Sequence, residues 1–243
     1  MIDTRLADAQ LPDSVRKVLA DFLAAAREAF GGELQSAVLF GSAAEGRLRA
    51  SSDVNLILVL SSFSAEAAGR LESALRFAEA AVRLRVMFLL TAEIPSAAEA
   101  FAQKFHDIAA RRLVLVGLDP FAGMTVPTEA LRRRVEQVLL NLALRLREQA
   151  ARQWSREDLL GRALADAVGP VRTCAQGILA LAGRPAGSPK AALEALLSEP
   201  GAPTAHLAGY YSRLREQAAE PGSVGKALME TIELIAWMRR RNV

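Results

Sequence analysis

The run Val54-Asn-Leu-Ile-Leu-Val-Leu60 constrains this chain more than any other feature. Apart from one amide it is apolar at every position, so both alternating faces of an extended segment must be covered. A central strand with packing elements on each side satisfies that. A shorter run, Ser36-Ala-Val-Leu-Phe40, stops at Gly41-Ser42 and predicts a second buried strand entering a turn. The polar stretch Ala43 to Ser52 separates the two. Val15, Leu19, Phe22, Leu23, Ala26 and Phe30 recur at helical spacing, predicting a helix over 12–30 that Gly31-Gly32 ends. Ala67, Leu71, Leu75, Ala78 and Val82 predict another over 65–82, and Leu84 to Leu90 is a third strand candidate. Ser96 with Glu99 has the form of a capping box opening a helix to Ala110, and Leu113 to Val116 predicts a short fourth strand closed by Gly117. Helices alternating with strands put this half in the mixed α/β or α+β class.

Beyond the Gly/Pro-punctuated segment Gly117 to Pro127 no strand is expected. Leu131, Val135, Val138, Leu139, Leu142 and Leu146 form one helical stripe over 128–152. Ser155 and Asp158 suggest a fresh cap for a helix towards residue 182, kinked or broken at Gly169-Pro170. Ser188-Pro189 is a cap plus first-turn proline for a helix to Leu197, and two more helices are expected over 203–219 and 223–241. The predicted organisation is α+β: a mixed sheet with flanking helices over residues 1–122, then an all-α bundle over 123–243.

Composition narrows the function classes. No apolar run reaches the ~18–20 residues of a membrane span, and the first residues lack the apolar block of a secretory signal. With Cys174 as the single cysteine and His106 and His206 as the two histidines, a disulfide framework is excluded and Cys/His metal sites nearly so. A soluble protein of a reducing compartment, the cytoplasm, is expected. Only Lys17, Lys104, Lys190 and Lys226 are lysines, so nearly all positive charge is arginine, whose planar fork grips oxyanions bidentately. The net charge of +3 is too small to announce a nucleic-acid binder. Arg132 to Arg134 and Arg239 to Arg241 read as solvated helix faces, Cys174 as a buried thiol, and Trp154, Trp237, Tyr210 and Tyr211 as packing residues.

One constellation carries chemistry: Leu39-Phe-Gly41-Ser42, then Gly46, then Ser52-Asp53-Val54-Asn55 leading into the second strand. A glycine at a strand end lets the backbone turn and approach a polyphosphate, since no Cβ intervenes. The Ser42 hydroxyl and backbone N–H can donate to phosphate oxygens. Positions 53 and 55, two apart on an extended segment, point to one side. Over residues 39–59 this pattern resembles the signature of the polymerase-β-like nucleotidyltransferase superfamily. The resemblance implies a nucleotidyltransferase-like mixed sheet, a nucleoside triphosphate as substrate or ligand, and two Mg²⁺ ions held about 3.5–4 Å apart by three carboxylates. It also implies that Gly41, Ser42 and Ser52 bind the nucleotide, that Asp53 is a metal ligand, and that Asp53 and Asn55 stand at the catalytic positions. The trailing helices resemble the substrate-binding or HEPN-type bundles of related proteins, without the Arg-x4-6-His ribonuclease motif.

The sequence departs from that signature at two of three acids. Asn55 stands where the second carboxylate is expected, and the strand Leu84 to Leu90, which should supply the third, has none. Arg85 or Met87 would occupy that face, depending on register; Glu93 and Glu45 are outside substitutes. Losing two charges from a partly dry cleft should weaken two-metal binding severely. The expectation is therefore a nucleotidyltransferase-family protein that binds a nucleoside triphosphate at a degenerate Mg²⁺ site, with weak or absent transfer. Arg85, facing the cleft, would neutralise phosphate where a metal would otherwise sit. The alternative is a non-catalytic regulatory or assembly protein, a pseudoenzyme that retains the fold. Expected partners are a nucleotide, an acceptor or protein partner, and a second copy of the chain in a homodimer, with no membrane and with nucleic acid disfavoured. Arg47 and Arg49 beside the turn read as solvated loop charges.

Overall fold

The computed structural model describes residues 6, 9–48, 52–216 and 222–242, so Arg49 lies outside the described residues. Two compact units divide the chain, Met1–Val126 and Pro127–Val243.

In the first unit the two apolar runs become strands β1 (Leu34–Phe40) and β2 (Val54–Leu60), and β3 (Leu84–Leu90) and β4 (Arg112–Gly117) join them. The sheet order is β3-β2-β1-β4, mixed: β1 is antiparallel to both β2 and β4, while β2 and β3 run parallel. Alternation along the strands divides the core in two. Leu39, Leu56, Leu58 and Leu60 pack with Leu19, Phe22 and Leu71 from helices α1 (Asp13–Phe30) and α2 (Ala65–Val82). Val38, Phe40, Ile57, Val59 and Leu89 pack on the other face with Phe105, Ile108 and Phe121. Phe105 and Ile108 belong to α4 (Ala102–Ala110), which follows the short α3 (Ile94–Ala100). Both faces of β2 are thus covered, as its composition demands.

One expected start differs. A 3₁₀ turn at Thr91–Glu93 leads the chain into α3 at Ile94, with Pro95 in the first turn, so Ser96 is already helical and exposed rather than a cap. The helix expected to run to Ala110 is broken at Phe101, whose ψ of 40° leaves the helical region.

The second unit has helices joined by turns and no strand among its described residues: α5 (Thr128–Gln153), α6 (Glu157–Leu181), α7 (Pro189–Leu197), α8 (Leu207–Glu216) and α9 (Val224–Arg241). Ser188 caps α7 by accepting from the Ala191 N–H at 3.1 Å. The expected break at Gly169-Pro170 does not occur; α6 runs through it. Pro170 lies on the exposed side, where a carbonyl deprived of its intrahelical donor can be hydrated. Opposite, Leu164, Val168, Val171 and Ala175 are buried, and that packing outweighs the ~3 kcal/mol a mid-helix proline costs. Cys174 is fully buried on this face, and the buried Tyr211 hydroxyl meets Thr231 Oγ1 at 2.7 Å. Trp154 is 57% exposed and so not a core residue, but its ring lies against Gly225 of α9, an inter-helix contact. Among the described residues no helix is long and apolar enough to cross a membrane.

Candidate nucleotide site

The end of β1 and the start of β2 meet through the pair Phe40↔Asn55. The chain leaves Phe40 into a 3₁₀ turn at Gly41–Ala43, and Asp53 immediately precedes β2, so turn and carboxylate sit at the same end of the strand pair. Gly41 has φ +72°, in the left-handed region that favours glycine, and a Cβ built on it would lie 3.9 Å from Asn55 Nδ2. The turn therefore closes directly over the Asn55 amide. Gly46 also has a positive φ of 66°, but its reason is packing: a Cβ there would come within 2.7 Å of Gln10 Cβ. Of the two motif glycines, one abuts the site residues and the other accommodates the segment before α1.

Register settles which residue of β3 neighbours Asn55. The parallel pairing sets Asn55↔Arg85 and Ile57↔Met87, so Phe40, Asn55 and Arg85 project on one face at one end of the sheet. The Arg85 guanidinium is exposed and lies 3.7 Å from Glu79 on α2. Ser52 is half-buried just before Asp53.

Asp53 has a partner that no sequence pattern nominated. Arg83 Nε donates to Asp53 Oδ1 at 2.9 Å, and the Arg83 carbonyl accepts from the Val54 N–H at 3.2 Å. Arg83 ends α2 in a left-handed conformation (φ 55°), unusual for arginine, and that conformation brings it abreast of Asp53. A basic residue directly before a strand paired in parallel with β2 was the available signal, but it becomes meaningful only once the register Val54↔Leu84 is known. A second unforeseen cation is Lys104 of α4, whose Nζ lies 5.5 Å from the Phe40 ring centroid, one residue from the turn. Partial burial holds its pKa below the ordinary lysine value.

The outside acids do not reach Asp53. Glu93 accepts from the Leu90 N–H at 3.0 Å, at the far end of β3, on the order of 20 Å along the strand from Arg85. Glu45 is held by Arg111 at 2.9 Å in a poorly exposed ion pair that also includes Asp107, on the β4 side of β1. Among the described residues no group of three or more His, Cys, Asp or Glu side chains could hold a metal ion. With one carboxylate bound to a guanidinium, an amide beside it and an arginine abreast on β3, these residues do not fit a pair of Mg²⁺ ions.

No protein-family model matches the sequence, and no curated protein matches it. The fold is similar to a solved structure of spectinomycin adenyltransferase AAD(9) from Enterococcus faecialis with ATP and spectinomycin. That match has a TM-score of 0.63 at 12% identity, covering 93% of this chain and 98% of the other. It shows a shared fold, a mixed sheet with flanking helices followed by helices.

Proposed function

We propose that the first unit binds a nucleoside triphosphate at the Gly41–Ser42 turn, without a divalent metal, and that nucleotidyl transfer is weak or absent. The observation carrying this reading is the closure of the left-handed Gly41 turn onto Asn55, beside an Asp53 already paired with Arg83. The turn offers backbone N–H groups and the Ser42 hydroxyl to phosphate oxygens. Arg83, Arg85 and Lys104 supply positive charge at the same end of the sheet, where the family signature has acids and metal.

Magnitudes favour an exchange of partners. The Asp53 and Arg83 side chains are 39% and 56% exposed, and such pairs are worth ~0–1 kcal/mol. A triphosphate can draw Arg83 from Asp53 at small cost, because a guanidinium bonds phosphate oxygens bidentately. The ATP in the structural neighbour and the resemblance of residues 39–59 support the ligand class. The missing carboxylates favour a second reading, a regulatory or assembly protein in which nucleotide is a ligand rather than a substrate.

Calorimetric titration with ATP tests this, once in EDTA and once in Mg²⁺. Saturable binding of similar strength in both is expected, with no pyrophosphate released over hours in the presence of small hydroxylated acceptors. Binding confined to Mg²⁺ overturns the metal-free site, and steady pyrophosphate release overturns the loss of transfer.

A further inference from the structure

We propose that the helical unit carries a second ligand site, for a small carboxylate with an apolar body, in the concavity where α6, α7 and α9 end. It encloses about 330 Å³, within the range of small-molecule sites, and lies entirely within residues 132–242. Its polar wall is Arg132, Arg184, Arg241 and Glu199; Ile178 and Leu196 contribute apolar surface.

The charges do not balance. Glu199, with its side chain 12% exposed, is shared by two guanidiniums: Arg184 at 2.6 Å on one oxygen and Arg241 on the other. Arg132 is fixed by the last described residue, donating to the Asn242 carbonyl at 2.5 Å, while Asn242 Nδ2 donates back to the Arg132 carbonyl at 3.0 Å. Glu129, 3.6 Å from Arg132, is largely in water and screens little. Three guanidiniums against one enclosed carboxylate leave a formal surplus of two. The C-terminal ends of α6, α7 and α9 offset most of it, at roughly half a negative charge each. The remainder, about half a positive charge, suits at most a monoanion and not a polyphosphate, which separates this concavity from the Gly41–Ser42 turn. Planar guanidinium forks bind a carboxylate bidentately, the low residual charge disfavours a phosphate, and Ile178 and Leu196 suit an apolar body.

In the bound state the ligand carboxylate competes with Glu199 for Arg184 and Arg241. That competition distinguishes a ligand site from an ion network that only ties helices together. Calorimetry on the full chain with octanoate and benzoate, against octanamide and benzamide, is the test. At least one carboxylate should bind saturably and the matching amide at least tenfold more weakly. Glu199→Gln, which removes the competing negative charge and one of its two acceptor oxygens, should tighten binding severalfold; Arg184→Met with Arg241→Met should weaken it at least tenfold. Should that double variant fail to fold, Arg184→Lys, which keeps the charge and loses the fork, should still weaken binding severalfold. No binding of either carboxylate, equal binding of the amides, or a folded Glu199→Gln variant that binds no more tightly would overturn the site.

Discussion

The two halves of the motif in the first unit differ in what they have become. The turn half, Gly41–Ser42, which we propose binds phosphate, combines a left-handed glycine, a tight 3₁₀ turn and a strand end paired with its neighbour. The strand half, where the resemblance implies metal ligands, lacks the charges. Asp53 is covered by Arg83, Asn55 is an amide, and Arg85 stands abreast where a third acid is expected. Backbone shape is fixed by the strand pairing that builds the core, whereas charge at an exposed strand end is set by a few side chains that the core does not need. The pairing Phe40↔Asn55 holds the turn in place whichever polar group occupies position 55.

The largest expected effect comes from breaking the shape half. Gly41→Val puts a β-branched residue at φ +72°, a strain on the order of 1–2 kcal/mol, and should lower ATP affinity at least tenfold in calorimetry. Arg83→Ala tests the charge half. It should change stability by less than about 1 kcal/mol in denaturant titration yet weaken ATP binding in EDTA severalfold, because it removes a phosphate partner and leaves Asp53 as a bare negative charge. Asn55→Asp sharpens the contrast from the other side. Two carboxylates on one face should weaken metal-free ATP binding two- to fivefold and make it respond to Mg²⁺, with no gain in transfer while Arg85 occupies the neighbouring strand.

The smallest effect lies outside both halves and serves as a control. Burial lowers the His106 pKa, partly countered by Asp107, so in acid the unfolded chain binds this proton more readily than the folded one. Its contribution is therefore lost as the pH falls from about 6.5 through the lowered folded value. His106→Gln should flatten stability across pH 7 to 5 by a few tenths of a kcal/mol and leave ATP affinity unchanged.

Much of this was legible before the fold was known. The strands at 54–60 and 84–90 and the helix at 65–82 follow from apolar runs and helical spacing that tertiary packing reinforces. The pairing register was not legible, because Leu84 to Leu90 is apolar enough to slip by two residues without exposing more core, so Arg85 and Met87 stayed open as alternatives. Arg83 escaped for a related reason: its left-handed backbone has no sequence mark, and its partner is defined only across strands. Ser96 misled because a cap is a backbone conformation as well as a residue type, and the preceding 3₁₀ turn starts the helix two residues early. Pro170 misled because local propensity loses to a buried helix face.

The most direct test of the central claim is a crystal structure with ATP and Mn²⁺, with ions located by anomalous scattering. Phosphates over Gly41–Ser42, Arg83 turned from Asp53 to a phosphate oxygen, and no manganese on Asp53 are expected. Two manganese ions bridging Asp53 and the phosphates would contradict that claim.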